Sequence, residues 1–204
     1  MRWSTKENLR LGSNTVELLL PQRRPFLMVD FVRFFSTDPV PALEGGRHVT
    51  ANEEVFAGHF PGLHIWPGAL TIEGLGQTGV LLLVLLALRR AAADRGEEPS
   101  AVLESLKNLD QCFRVQPGSR LEEASRVRTR LRELPSVIAV GTSVDVKFTR
   151  PVLAGCRLDY RVELTGEHAG GIRFDAEACV EGSVVAKGTL MGASVAIPAP
   201  CADP

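Results

Sequence analysis

The chain predicts an α+β fold in which an antiparallel sheet wraps around one long helix, and three observations carry that expectation. Residues 67 to about 93 begin at Pro67-Gly68, pass through the wholly apolar stretch 80–88 and end among Arg89, Arg90 and Arg95. This is the order of a helix with proline at its start and cations at its end. Two β-rich segments precede it, and four strand patterns follow from Val137 onward. With 204 residues, 45% of them hydrophobic, the chain can bury one substantial core, so a single domain over 1–204 is expected.

Each element has its own local reason. Residues 15–20 read as a helical turn stopped by Pro21. Residues 25–35 are apolar and β-rich enough for a strand, and 42–50 can return beside it. The central helix is apolar all round in its second half. A membrane span would need about 20 apolar residues, and extending the stretch backward takes in Glu73, Gln77 and three glycines. A buried helix is therefore expected, and no membrane span.

Gly74, Gly76 and Gly79 each cost roughly 1 kcal/mol against alanine inside a helix. Either close packing or room for a ligand beside Glu73 offsets that cost. Residues 122–134 place Arg126, Arg128, Arg130 and Arg132 at a period of two, which predicts an exposed strand face. No aromatics interleave with these arginines, as a nucleic-acid stripe would require. Strands are predicted at 137–150, 157–166, 172–180 and 183–195, with Glu181-Gly182 as the tight turn between the last two.

A formal charge of -1 gives no bulk attraction to nucleic acid or anionic lipid. The N-terminus lacks the apolar core of a secretory signal, so a cytoplasmic protein is expected. Cys112, Cys156, Cys179 and Cys201 form no CxxC pair and neighbour no histidine cluster. Free, mostly buried thiols and no metal site follow from that spacing.

The chemistry-bearing residues gather between 58 and 77. His59 stands in a Gly/Pro-rich loop and titrates near neutral pH when unperturbed, so it can serve as a base. Glu73 is a lone carboxylate in an apolar helix, where desolvation favours its protonated form and suits a general acid. The N–H of Gly68, at the helix start, can polarise a carbonyl. A base and an acid held apart by environment fit elimination or hydration. His48, His64 and His168 lack such a setting.

Three blocks together resemble the beta-hydroxyacyl-(acyl carrier protein) dehydratases of type II fatty acid synthesis, a hot-dog-fold family. They are Leu20-Pro21-Gln22-Arg23-Arg24-Pro25-Phe26-Leu27-Met28-Val29-Asp30, the run from Asn52 through Gly58-His59-Phe60-Pro61-Gly62 and Pro67-Gly68 to Glu73 and Gln77, and Val146-Lys147-Phe148-Thr149-Arg150-Pro151-Val152 with the hairpin at Glu181-Gly182. The resemblance implies a hydro-lyase with His59 as base and Glu73 as acid. It further implies that the Gly68 N–H receives the thioester carbonyl and the Ile65 carbonyl orients the imidazole. No cofactor is implied, because a thioester already acidifies its α-carbon.

The implied partner is an acyl carrier protein bearing a 3-hydroxyacyl group, with Arg23 and Arg24 as candidates to dock it. A homodimer is implied in which His59 and Glu73 meet across the interface; a heterodimer with a related subunit is the variant form. Alternatives on the same fold are an acyl thioesterase and a subunit supporting a partner's site. The chain departs from the family pattern at Gln22, where histidine is usual, at His64, where proline is usual, and at Gly74 and Gly76, where alanines are usual. Residues 97–136 form an atypical insertion, and the divergence points to specialised polyketide or polyene synthesis as readily as to fatty acid synthesis.

Overall fold

The computed structural model describes residues 7–115, 120–134, 138–168 and 171–195. Strand β1 (Glu7–Leu11), helix α1 (Ser13–Leu19), β2 (Phe31–Ser36) and β3 (Ala42–Val49) lead to a short 3-10 turn, Glu54–Ala57. After it come β4 (Ile65–Trp66) and the long helix α2 (Gly68–Asp94). Helices α3 (Pro99–Val115) and α4 (Arg120–Glu133) follow, then β5 (Ile138–Phe148), β6 (Val152–Leu153), β7 (Cys156–His168), β8 (Gly171–Val180) and β9 (Ser183–Val195).

Seven strands form one antiparallel sheet in the order β1-β2-β3-β7-β8-β9-β5, with α2 packed against β3, β5, β7 and β8. This is the hot-dog arrangement. Leu75, Leu81, Leu82 and Leu85 of α2 are fully buried, and α2 also packs against α3. The helix is long and apolar enough to cross a membrane, yet most of that stretch is buried inside the protein, which identifies it as a core helix. The Glu181-Gly182 turn has positive φ at both positions, 49° and 76°. That is the geometry a two-residue hairpin needs between right-twisted strands.

Several expectations change. Residues 122–134 do not form a strand; all but Leu134 lie in α4, where Ala124 and Val127 are buried and Leu131 packs beside them at helical spacing. The arginines meet acids in helical and tertiary pairs instead, Arg126 with Glu122 and Glu123, and Arg130 with Glu97. Of residues 25–35, only the part from Phe31 onward is strand. Backbone groups of residues 26–28 bond to the side chains of Gln77 and Arg47 rather than to a neighbouring strand. β1 has no counterpart among the sequence expectations, being too short and too polar at Glu7, Asn8 and Arg10 to stand out.

Helices α3 and α4 lie within residues 97–136, the stretch expected to be an insertion. Asp110 of α3, nearly fully buried, accepts from the Gly12 N–H at 2.6 Å and the Thr15 hydroxyl at 2.9 Å, and pairs with Arg114 at 2.7 Å. This carboxylate ties α3 to the start of α1. Cys179 is buried, whereas Cys112 and Cys156 are half-buried rather than enclosed. Residues 1–6, the His168 side chain and Cys201 lie outside what is described.

Candidate active site

His59 is half-buried, and its loop is held at both ends. Its N–H donates to the Val55 carbonyl at 2.9 Å, while Phe60 and Leu63 bond to each other across the turn. Beyond the turn, β4 pairs with β6 and the Ala154 N–H donates to the His64 carbonyl at 3.2 Å. The imidazole Nδ1 lies 2.8 Å from the Ile65 carbonyl oxygen. A carbonyl only accepts, so Nδ1 carries a proton, and in the neutral imidazole the lone pair is then on Nε2.

Gly68 opens α2. The first hydrogen bonds of that helix run from Leu70 and Thr71 to the Pro67 carbonyl, which leaves the Gly68 N–H without a partner among the described residues. A Cβ at this position would lie 2.8 Å from the Phe148 ring, so only glycine lets β5 approach the helix start this closely.

Glu73, half-buried one turn further on, lines a cavity of about 180 Å³ between α2 and the β8, β9 and β5 end of the sheet. Gln77 fixes its orientation by donating from Nε2 to Glu73 Oε1 at 2.8 Å. The same amide donates to the Phe26 carbonyl at 2.7 Å and accepts from the Met28 N–H at 2.7 Å. Gln22 lines the cavity too, and its Oε1 is buried with no partner among the described residues. His59 is not among the residues that line this cavity. The i to i+4 spacing of Glu73 and Gln77 was the available sequence signal for the clamp.

The family model for the FabA-like domain matches residues 20–122, which include every residue of this loop-helix unit. The chain is 33% identical over 174 residues to the 3-hydroxyacyl-[acyl-carrier-protein] dehydratase FabZ of Desulfotalea psychrophila, covering 85% of this chain and 86% of that one. This chain belongs to the FabZ dehydratase family. FabZ of Pseudothermotoga lettingae is 34% identical over 148 residues, covering 72% of this chain and 97% of its own. Among solved structures, the dehydratase heterocomplex ApeI:P from Xenorhabdus doucetiae superposes with a TM-score of 0.53 over 88% of this chain and 90% of its own, at 16% identity. That likeness is one of fold.

Within this FabZ-family chain the departures have definite surroundings. His64 is exposed and stacks on Phe56 with ring centroids 5.0 Å apart. Arg23 turns back on its own segment, donating to the carbonyls of Leu20 and Gln22, and Arg24 pairs with Asp30 at 3.2 Å; both are exposed. His48 is exposed against Phe31, with Nδ1 3.8 Å from Asp30.

Proposed function

We propose that this chain dehydrates 3-hydroxyacyl thioesters held on acyl carrier protein, giving a trans-2-enoyl thioester and water in the cytoplasm. The observation that carries the assignment of roles is the 2.8 Å contact from His59 Nδ1 to the Ile65 carbonyl, which leaves Nε2 as the base. Nε2 takes the C2 proton, and the electron pair left on C2 closes the C2=C3 double bond as the C3–O bond breaks. Glu73 supplies the proton that turns the departing hydroxyl into water. The Gly68 N–H donates to the thioester oxygen as negative charge builds there.

The two halves belong to different protomers in this reading, His59 working with Glu73 of the partner subunit. Two features support it. His59 is absent from the cavity that holds Glu73. β5 lies at one end of the sheet order, with Val144 and Phe148 half exposed, the kind of open apolar edge that a second copy covers. Arg23 and Arg24, exposed beside Gln22, are assigned to docking the acidic carrier.

The test uses His59→Ala and Glu73→Gln separately, with enoyl absorbance followed on a 3-hydroxyacyl carrier-protein substrate. Each variant is expected to lose about 100-fold or more in kcat; wild-type turnover in either removes the assigned role. Mixing the two inactive variants restores up to about a quarter of wild-type activity if subunits exchange at random and each mixed dimer keeps one intact site. No recovery after demonstrated subunit exchange excludes the shared site.

A further inference from the structure

Arg47 is nearly fully buried in β3, opposite Leu158 of β7. Its guanidinium meets three separate segments at once. Nη1 donates to the Leu27 carbonyl at 2.8 Å, Nη2 pairs with Glu53 Oε2 at 2.7 Å, and the guanidinium carbon lies 5.0 Å from the centroid of the Trp66 ring. A planar fork can bond two acceptors and stack on a ring together, which a single ammonium cannot do.

Each of the three segments leads directly into one part of the acid/base machinery. The neighbours of Leu27, Phe26 and Met28, bond to the Gln77 amide that holds Glu73 Oε1. The Glu53 carbonyl accepts from the Phe56 N–H at 3.1 Å, opening the turn whose Val55 carbonyl receives the His59 N–H at 2.9 Å. Trp66 follows Ile65, the residue that holds His59 Nδ1, and runs through Pro67 to Gly68. Its ring also meets Phe56 edge-on, with centroids 6.2 Å apart. A buried ion pair often adds little net stability over an apolar side chain of like size, but its directed bonds fix the geometry of what they join.

We propose that Arg47 is a positioning residue for both halves of the reaction, holding the His59 loop through Glu53 and Trp66 and the Glu73 clamp through Leu27. The inference rests on the dehydratase reading above and deepens it. With His59 of one protomer working beside Glu73 of the partner subunit, each Arg47 serves two sites.

The experiment measures kcat and KM on a 3-hydroxyacyl carrier-protein substrate for Arg47→Met, Arg47→Lys and Asp110→Ala, each shown to be folded at the assay temperature. Arg47→Met is expected to lose about tenfold or more in kcat with KM within about threefold of wild type. Arg47→Lys keeps the charge opposite Glu53 without the fork, and is expected to recover part of that loss. Long-range proton–nitrogen spectra of histidine-labelled protein at about pH 8.5, above the ordinary histidine range, report the tautomer of His59, assigned by its absence in His59→Ala. Wild type is expected to hold the Nδ1–H form, and Arg47→Met to average between the two forms. Asp110→Ala, whose lost partners are Gly12, Thr15 and Arg114, is the control for general loosening and is expected to keep wild-type kcat and the wild-type His59 signal.

Wild-type kcat in Arg47→Met, or in Arg47→Lys where the methionine variant does not fold, overturns the positioning role. So does a rise in KM at unchanged kcat, which would make Arg47 a substrate contact through the cavity of about 450 Å³ that it lines with Phe26 and Trp66. A folded Arg47→Met that keeps the single Nδ1–H form overturns it as well, as do equal effects in Asp110→Ala; in all these cases dehydration itself stands. Wild-type protein that does not dehydrate the substrate overturns the dehydratase reading and the positioning role together.

Discussion

Gln77 presents its amide NH2 to Glu73 Oε1 at 2.8 Å and cannot turn over, because the Phe26 carbonyl occupies its other N–H and the Met28 N–H occupies its oxygen. Glu73 Oε1 is therefore the acceptor in this clamp. Replacing Gln77 with Leu frees the carboxyl to rotate and leaves two backbone groups without partners. We expect kcat to fall about tenfold or more with a smaller change in KM, and stability to fall by about 2 to 4 kcal/mol. Steady-state kinetics and urea unfolding of Gln77→Leu check both.

Gly74 and Gly76 are near neighbours in α2 and opposite in consequence. Gly74→Ala pushes a Cβ into the Tyr160 ring and is expected to lower stability by about 1 to 3 kcal/mol. Gly76→Ala meets open space and is expected to raise it by up to about 1 kcal/mol. Denaturant midpoints at constant m-value distinguish the two.

Asp110 joins α3 to the N-terminal segment through Gly12 and Thr15, and pairs with Arg114 on its own helix. Asp110→Ala leaves the Gly12 N–H and the buried Thr15 hydroxyl unpaired. We expect a loss of about 2 to 4 kcal/mol, with faster amide exchange concentrated in β1 and α1. Hydrogen exchange read by mass spectrometry locates the effect.

Cys179 links stability to alkaline pH. Burial, followed by the charge of Glu177, pushes its thiol up from 9.0 to about 11. A folded-state value above the unfolded one means that the contribution is complete below pH 9.0 and is lost as pH rises toward about 11. Cys179→Ala is expected to flatten the fall in melting temperature over that window. Burial likewise raises the Tyr160 phenol, so Tyr160→Phe is expected to remove a further loss above pH 10.0.

Legibility followed the range of the interactions involved. The four C-terminal strands, the hairpin at Glu181-Gly182 and the extent of α2 are written in local patterns of turn residues and apolar runs, and they appear where those patterns lie. α4 misled because its arginines alternate by twos, while the Ala124, Val127 and Leu131 spacing that marks its buried stripe is sparse and weakly apolar. Residues 26–28 looked like strand because they are largely apolar, but their backbone partners are Gln77 and Arg47, remote in sequence.

By itself the sequence determined the fold class and the loop-helix unit and pointed to His59, Gly68 and Glu73 as candidates, because these depend on spacing and residue type within some twenty positions. Tertiary structure alone decided what each of them faces. It holds His59 Nδ1 on the Ile65 carbonyl and Glu73 Oε1 on the Gln77 amide, and it places Glu73 but not His59 among the residues lining the cavity beside α2. It also separated the helix glycines into two that touch aromatic rings and one that faces open cavity. Those distinctions arise from contacts made by distant segments on packing, and composition and periodicity carry no record of them.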